Sequence, residues 1–455
     1  MCSLGRAGSS PAPGTLQQHP HNIMRQIVMF FFFLFLNSCF YGYVVGQSYT
    51  SFMTGNPTDV TVNVQPAFVL AGGGTDNDDA MKWMLSRAKG GDVVILRASG
   101  SDGYNNYLYD ELGINVHSVE TILFLSRSAS SEPYILERIR NAEIIFIAGG
   151  DQTKYHDYWA GTETGELLKT ICQERTKVVG GTSAGMMILG NLVYAPLGSG
   201  VTSVEALANP YHPNLNNIKY NTFLQTPVFA NTIFDSHFDN RSRSGRLMVF
   251  LAKAAFERNI RAKAIACNES TVVCIDENNI ATVFGDTPQY PEYAYFMEVN
   301  CEEDWKPISL TENVKAHWST DNGNAVIVQR IKGTKEGNAK FDLDTWKAIN
   351  DFDAEYWQVN DGVLQKKITT FTDCSLIPSF LSDENQKSVI IYPNPTDSVV
   401  YFPFAEMAEL FSTDGKMMVS NKNVQSLDIS ACKSGEYTLN LTINKTVKSF
   451  LVVKI

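Results

Sequence analysis

The chain has 455 residues and is 44% apolar, which allows two or three domains and a sizeable core. Its formal net charge at pH 7 is −11, and no long basic run occurs. The composition therefore excludes the basic footprint of a nucleic-acid-binding protein, whose affinity depends on neutralising phosphates. An acidic balance favours solubility and does not by itself indicate a substrate.

The N-terminal region, residues 1–46, has the layout of a secretory signal. Residues 27–36 (IVMFFFFLFL) form an unbroken apolar stretch of ten, Arg25 precedes it, and a Gly46-Gln47 junction follows. Ten residues are too few to cross a bilayer, which takes about 20. The pattern predicts a cleaved signal and an exported protein.

Two alternatives to simple cleavage stay open. If the apolar stretch is extended through Val45, it is long enough for an uncleaved anchor. The segment 36–39 (LNSC) also loosely resembles a lipoprotein cleavage box. Met24 is a candidate for the true start, because residues 1–23 have the character of neither a signal nor a domain.

Eight cysteines occur, and cleavage of the signal would remove Cys2 and Cys39. The spacing of the other six includes no CxxC, so a cysteine-based zinc site is not expected. Pairing of Cys267 with Cys274 across a hairpin stays open. No metal ion and no cofactor is predicted.

From about Pro57 the chain alternates Val/Ile-rich strands with helical segments. This pattern predicts an α/β fold with a mostly parallel sheet and helices on both faces, where ligands bind beyond the carboxyl ends of the strands. The predicted strands are 67–70, 92–97, 121–125, 143–148 and 176–179, and the predicted helices are 79–88, 130–141 and 163–174.

The second half changes character from Ala262 onward. Short β-rich runs predict an antiparallel, β-rich extension of the first domain, most evident from about 287, so the catalytic domain is expected to span 57–375. A polar linker at 376–389 and a small all-β module at 390–455 complete the predicted organisation.

The run 181–185 (GTSAG) matches the nucleophile elbow G-x-S-x-G, in which a serine projects from a sharp strand-to-helix turn. Chance alone produces the pattern roughly 0.15 times in a chain of this length. Its position between a predicted strand and helix makes Ser183 the predicted nucleophile. The N–H of Ala184 is the first predicted oxyanion donor, and the loop 149–152 (GGDQ) is expected to supply the second from Gly150.

A serine nucleophile needs a base, and His237 is the best placed of seven histidines. It follows an apolar run and precedes Arg241, Arg243 and Arg246, which predict a cationic cup able to bind carboxylates bidentately. Positive charge beside the imidazole disfavours its protonation, so His237 is expected to be neutral.

The third member of the site is less clear from the sequence. Glu205 is the only acidic residue between Gly185 and Phe234, so it is chosen by elimination for the order serine, acid, histidine. Glu269, in 268–271 (NEST), is the alternative.

These motifs together resemble the cyanophycinases and their wider family of serine peptidases, S51, which includes aspartyl dipeptidases. The resemblance covers roughly 57–286 and rests on the elbow, the GGDQ loop and the segment 237–247 (HFDNRSRSGRL). It implies a fold like that of class I glutamine amidotransferases, with serine in place of cysteine. It also implies hydrolysis of peptides that contain aspartate, including the β-linked Asp-Arg polymer.

The same resemblance implies roles for individual residues. Ser183 would be the nucleophile and His237 the base, and five residues would line the substrate site: Gln152, Asp235, Arg241, Arg243 and Arg246. Two departures occur: Ser236 stands where these enzymes usually have glutamine, and the stretch 190–231 is longer and different.

The C-terminal module resembles the sorting domain of type IX secretion. The resemblance rests on 392–395 (YPNP), 414–416 (DGK), 427–430 (LDIS) and 434–437 (SGEY). It implies the type IX machinery as a partner, with secretion or attachment at the cell surface afterwards.

Three functions are therefore carried forward. The first is an exported serine peptidase acting on carboxylate-bearing peptides, and the second is an aspartyl dipeptidase. The third is a non-catalytic surface-binding protein on the same scaffold, which the absence of an acid near His237 would favour. The oligomeric state stays open, a homodimer included.

Overall fold

The computed structural model describes residues 47–285, 292–301, 305–307, 309–319, 324–368, 398–443 and 446–454. The chain divides into two compact units, 1–372 and 373–455. The predicted signal region, 1–46, and the predicted linker, 376–389, lie outside the described residues. In the described ranges, no helix is both long and apolar enough to span a bilayer.

The first unit contains eighteen described strands and eight α-helices in an alternating order that gives way to strands alone. The strands are β1 (Tyr49–Gly55), β2 (Ala67–Ala71), β3 (Asp92–Arg97), β4 (Ser118–Phe124), β5 (Ile144–Ile147), β6 (Val178–Thr182), β7 (Leu192–Tyr194), β8 (Ile218–Tyr220), β9 (Thr232–Asp235), β10 (Lys263–Cys267), β11 (Val272–Ile275), β12 (Ile280–Phe284), β13 (Tyr293–Val299), β14 (Val326–Lys332), β15 (Ala339–Asp342), β16 (Lys347–Ala348), β17 (Asp353–Asn360) and β18 (Val363–Ile368). The helices are α1 (Asp78–Arg87), α2 (Gly103–Asn106), α3 (Pro133–Asn141), α4 (Gln152–Trp159), α5 (Glu163–Glu174), α6 (Ala184–Met187), α7 (Ser203–Ala208) and α8 (Ser244–Arg258).

The first sheet has ten strands in the order β1-β4-β3-β5-β6-β2-β11-β12-β15-β16. The five from β4 to β2 run parallel, and the flanking pairs are antiparallel. The predicted α/β class is confirmed. The strand predicted at 176–179 lies two to three residues further along, at β6, because the buried run continues through the glycines to Thr182.

The second sheet has eight strands in the order β18-β17-β14-β13-β10-β9-β7-β8. Its strands β7, β9 and β10 are parallel, and the remaining pairs are antiparallel. The β-rich part of the chain therefore adds strands to both sheets. It extends the first with β11, β12, β15 and β16 and supplies most of the second.

The core forms layers on the faces of the two sheets. One apolar cluster contains Leu70 and Ile145 of the first sheet together with Phe234 and Ile265 of the second, so the two sheets share a layer. Helices α3, α4 and α5 also pack into this cluster. Helix α1 covers the opposite face of the first sheet, and α8 packs against the second.

The second unit is a four-stranded antiparallel sheet with its own apolar core, which includes Leu410, Leu439 and Leu441. Its strands, in the order β20-β19-β21-β22, are β19 (Val399–Ser412), β20 (Met417–Asp428), β21 (Gly435–Ile443) and β22 (Thr446–Lys454).

Candidate active site

The strand ends of both sheets meet at one place. Strands β2 and β6 are parallel neighbours, so Gly72 and Ser183 follow them at the same edge. Strands β9 and β10 are also parallel neighbours, and they deliver His237 and Glu269. Each of these residues lies within two positions of the end of its strand.

Ser183 lies in a strained turn between β6 and α6, with φ 55° and ψ −117°. Gly185 packs so closely that a Cβ there would lie 1.9 Å from the carbonyl oxygen of Ile147, and a Cβ at Gly181 would lie 2.3 Å from that of Gly185. The two glycines of the motif are therefore required by the packing of helix against sheet. The sequence prediction of a nucleophile elbow agrees with this geometry.

A continuous line of hydrogen bonds runs from Ser183 through His237 to Glu269. Ser183 Oγ lies 2.7 Å from His237 Nε2, and His237 Nδ1 lies 2.6 Å from Glu269 Oε1. The His237 side chain is 8% exposed, while the Glu269 side chain is 33% exposed. A hydroxyl, an imidazole and a carboxylate in this order can generate a serine nucleophile.

The surroundings of His237 favour its neutral form. Burial lowers the pKa of His237, and Arg241 and Arg243 lower it further, whereas the hydrogen bond to Glu269 raises it. The pKa of His237 is lowered, as expected, but the main cause is burial and not the charge of the arginines. A neutral imidazole can accept the Ser183 proton at neutral pH.

Glu205 is a correction to the sequence prediction. Its carboxylate accepts hydrogen bonds from the Thr202 N–H at 2.8 Å and hydroxyl at 2.9 Å, in a capping box that starts helix α7. The histidine nearest to it is His212, at 4.0 Å. The chain order serine, acid, histidine does not apply here, because Glu269 reaches His237 from the following strand.

The loop from Gly149 to Gln152 lies beside Ser183, as expected. A Cβ at Gly149 would lie 3.6 Å from the Cβ of Ser183. The hydroxyl of Tyr155 donates to the carbonyl of Ala148 at 2.8 Å and holds the loop. Gln152 donates from Nε2 to the carbonyl of Tyr194 at 3.1 Å, so its amide binds the last residue of β7. The oxyanion donors Gly150 and Ala184 stay predictions.

The arginine segment differs from the expected open cup. Asp235 is fully buried, and Arg246 contacts it with two nitrogens, at 2.9 Å and 2.5 Å. Arg243 also donates to Asp235, at 3.1 Å, and to the carbonyl of Ser236, at 2.7 Å. Asp235 and Arg246 were expected to line the substrate site, but they are buried and form an ion pair with each other. Burial lowers the pKa of Arg243 to about 10, and Arg241 is exposed.

The run Gly72-Gly73-Gly74 contributes to the site in a way that the sequence did not indicate. A Cβ at Gly73, where φ is +90°, would lie 2.5 Å from His237 Cε1 and 3.1 Å from Ser183 Cβ. A Cβ at Gly74 would lie 2.9 Å from Glu269 Cβ. The signal was a glycine run at a strand end, but only the packing shows which side chains it accommodates.

Among the described residues, no group of three or more His, Cys, Asp or Glu side chains is placed to hold a metal ion. Cys267 and Cys274 are buried free thiols, so the pairing that the sequence left open is wrong.

The geometry of the site is that of the serine hydrolases, with glutamate as the acid. Residues 69–208 match the model of peptidase family S51, and residues 390–454 match that of the secretion system C-terminal sorting domain. The resemblance to both families is confirmed. The S51 match includes Ser183 and ends before His237 and Glu269.

Several curated relatives are cyanophycinases. Those of Synechococcus elongatus and Thermosynechococcus vestitus are each 26% identical over 268 residues, which is 56% of this chain and 77% of theirs. That of Trichormus variabilis is 26% identical over 145 residues, 32% of this chain and 44% of its own.

Two of the solved structures with partial similarity to this chain are described as peptidases. One is a peptidase from an acI-B1 actinobacterium, with a TM-score of 0.37, 15% identity and coverage of 50% of this chain and 89% of its own. The other is a putative peptidase E protein from Listeria monocytogenes, with a TM-score of 0.33, 14% identity and coverage of 49% and 100%.

The Glu269 contact generates a prediction that separates the two candidate acids. We expect Glu269→Gln to slow reaction of Ser183 with a fluorophosphonate probe by roughly 10³- to 10⁴-fold, because the imidazole loses its charged partner. Glu205→Gln, the matched control, should stay within about twofold. Equal effects of the two substitutions would contradict the assignment of Glu269.

The close approach of Gly73 to His237 predicts a steric effect. Gly73→Ala should slow labelling of Ser183 by about 100-fold, because a Cβ at this position displaces the imidazole. Gly90→Ala is the control, since Gly90 also has a positive φ, +86°, but nothing lies within 4 Å of its Cβ position. If Gly90→Ala had the same effect on labelling, backbone strain and not contact with His237 would be responsible.

The electrostatics of His237 predict a change in pH dependence. The imidazolium cannot accept the Ser183 proton, so the labelling rate falls as pH drops through the pKa of His237. Arg241→Ala removes a positive charge that lowers this pKa, so the acid limb should move to higher pH. Arg140→Ala, on the exposed surface of α3, should leave the limb in place. A shift to lower pH with Arg241→Ala would show that the sign is wrong.

Proposed function

We propose that this protein is an exported serine peptidase that cleaves amide bonds next to aspartate residues, with β-linked Asp-Arg as the first candidate substrate. The observation that carries the proposal is the hydrogen-bonded line from Ser183 through His237 to Glu269. The S51 match and the cyanophycinase relatives support the substrate class. The sorting-domain match supports export by the type IX secretion system, into the medium or to the cell surface.

In the acylation step, His237 Nε2 takes the proton of the Ser183 hydroxyl as Oγ attacks the carbonyl carbon of the substrate. The carbonyl electron pair moves to oxygen, and the N–H groups of Gly150 and Ala184 would stabilise the resulting oxyanion. His237 then transfers its proton to the leaving amine, the C–N bond breaks, and an ester to Ser183 remains.

In the deacylation step, water takes the place of the amine. His237 accepts a proton from the water as its oxygen attacks the ester, and it returns that proton to Ser183 Oγ when the acid is released. Glu269 accepts a hydrogen bond from Nδ1–H throughout, which holds the imidazole in the tautomer that leaves Nε2 free to accept a proton. The carboxylate also stabilises the imidazolium that forms in each half-reaction.

Recognition of a substrate carboxylate would fall mainly to Arg241. The two guanidinium groups of Arg243 and Arg246 share one carboxylate, Asp235, which leaves one uncompensated positive charge beneath the site. Arg241 adds a second positive charge at the surface, four residues after the catalytic histidine. A planar guanidinium with several donors can bind a carboxylate with two parallel hydrogen bonds.

The alternative of a non-catalytic binding protein was expected to lack an acid near His237. Glu269 lies 2.6 Å from the imidazole, so the feature that would favour that alternative is not present in the described site. The dipeptidase alternative differs from the main proposal only in substrate length, and an assay decides between them.

The test compares wild-type protein with Ser183→Ala on three substrates: β-Asp-Arg polymer, β-Asp-Arg dipeptide and α-Asp-X dipeptides. We expect release of free amine by the wild type and at least about 10⁴-fold less by Ser183→Ala. Ser128→Ala, an exposed serine after β4, should retain full activity. Cleavage of α-dipeptides alone would favour the dipeptidase, and equal background rates for wild type and Ser183→Ala on every substrate would refute the proposal.

A further inference from the structure

The imidazole and the carboxylate of the proposed catalytic site lie on two separate loops of the chain. His237 follows β9, and Glu269 follows β10, 32 positions further along the chain. Their 2.6 Å contact therefore depends on how the two loops are joined. The backbone of His237 itself is strained, with φ +47°, and such a conformation persists only where its surroundings fix it.

A set of side chains, of which Asn268 and Tyr295 are buried and Asp239 is half-buried, joins the two loops. The Asp239 N–H donates to Asn268 Oδ1 at 3.1 Å, and Asn268 Nδ2 donates back to Asp239 Oδ2 at 2.9 Å. The hydroxyl of Tyr295, on β13, donates to the same Asp239 oxygen at 2.7 Å. We name these three residues the Asp239 clamp.

Two further hydrogen bonds join the same two loops, one on each side of the clamp. The N–H of Phe238 donates to the carbonyl of Cys267 at 3.1 Å, and the N–H of Glu269 donates to Asn240 Oδ1 at 3.3 Å. The three residues after His237 are thus bonded one by one to the residues around Glu269. Asn268 is 1% exposed and Tyr295 is 2% exposed, so water does not compete easily for these bonds.

Charged groups around the clamp influence which of its members donates a hydrogen bond. Lys366, whose ammonium lies 4.0 Å from the centre of the Trp357 ring, interacts favourably with the Asp239 carboxylate. Burial and the Asp239 charge raise the pKa of Tyr295, so its hydroxyl stays protonated and remains a donor; Arg330 opposes this effect. Tyr295 therefore remains the donor in its hydrogen bond to Asp239.

We propose that Asp239 is a positioning residue for catalysis, which acts through Asn268 and Tyr295 to hold the His237 and Glu269 loops at hydrogen-bond distance. Asp239 does not contact Ser183 or the position of the substrate in this scheme. Its effect is on the imidazole–carboxylate contact, which sets the tautomer and the basicity of His237. The inference rests on the proposed serine hydrolase function.

The test measures the rate of Ser183 labelling by a fluorophosphonate probe across pH, in the full chain. Asp239→Ala should slow labelling roughly 10- to 100-fold, because two bonds to a carboxylate are lost. Asp239→Asn keeps an acceptor oxygen and should recover most of the rate, while Tyr295→Phe should cost roughly three- to tenfold. Tyr134→Phe is the matched control and should leave the labelling rate unchanged. It removes a bond of the same kind, in which the Tyr134 hydroxyl on α3 donates to the Glu120 carboxylate on β4 at 2.6 Å.

The pH profile distinguishes positioning from a general loss of structure. The groups that face His237 are Glu269, Arg241 and Arg243, and only Glu269 raises its pKa. Loosening the Glu269 contact should therefore move the acid limb of the labelling profile to lower pH. A smaller folded fraction lowers the rate at every pH and leaves the limb where it is.

The outcomes separate this inference from the proposed function. If wild type is not labelled above the level of Ser183→Ala, the proposed function fails. If wild type is labelled but Asp239→Ala and Tyr295→Phe keep its rate, or lose rate with the acid limb unchanged, the positioning role is refuted. Should Asp239→Ala fail to fold, Tyr295→Phe decides by the same criteria.

Discussion

Three consecutive backbone carbonyls at the end of β2 fix the geometry on which the site depends. The carbonyl of Ala71 accepts the N–H of Ser183 at 3.0 Å, that of Gly72 accepts His237 at 2.8 Å, and that of Gly73 accepts Ser270, next to Glu269, at 2.9 Å. One short segment thereby aligns the loops that carry all three side chains. Because β2 is paired on both sides within the first sheet, between β6 and β11, this segment has little freedom to move. A side chain at Gly72 would lie 1.9 Å from the carbonyl oxygen of Asn268, so the loops approach as closely as only glycine permits.

The arginine segment serves the structure as well as the chemistry. A buried carboxylate such as Asp235 is costly unless it is paired and fully hydrogen-bonded, and Arg243 and Arg246 supply that pairing. The same contacts fix the turn that ends in His237, since Arg243 also holds the carbonyl of Ser236. Because two guanidinium groups share the one carboxylate of Asp235, one of their two positive charges is not balanced by it. Arg241 is exposed and carries a further positive charge. Residues 235–246 hold three arginines and two aspartates, a formal charge of +1 in a protein whose formal net charge is −11.

The site could be predicted in part because some of its signals are local. The elbow at 181–185 and the histidine before three arginines are short patterns with a direct physical meaning, and they located Ser183 and His237. The acid had no such pattern. Elimination along the chain favoured Glu205, which instead caps a helix through a purely local bond, whereas Glu269 reaches the imidazole from a neighbouring strand. Asp235 was likewise expected to line the substrate site, because a sequence does not show which charges become buried partners.

The sequence by itself determined the class of the fold, the C-terminal module and the candidates for nucleophile and base, because periodicity, glycine placement and turn chemistry act over a few residues. Only the tertiary structure decided which carboxylate contacts His237, which arginines pair with Asp235 and which side chains the glycine run after β2 accommodates. Each of these depends on residues between 8 and about 200 positions apart that the order of strands brings together. Strand order across two sheets follows from the packing of whole layers, and no local pattern encodes it.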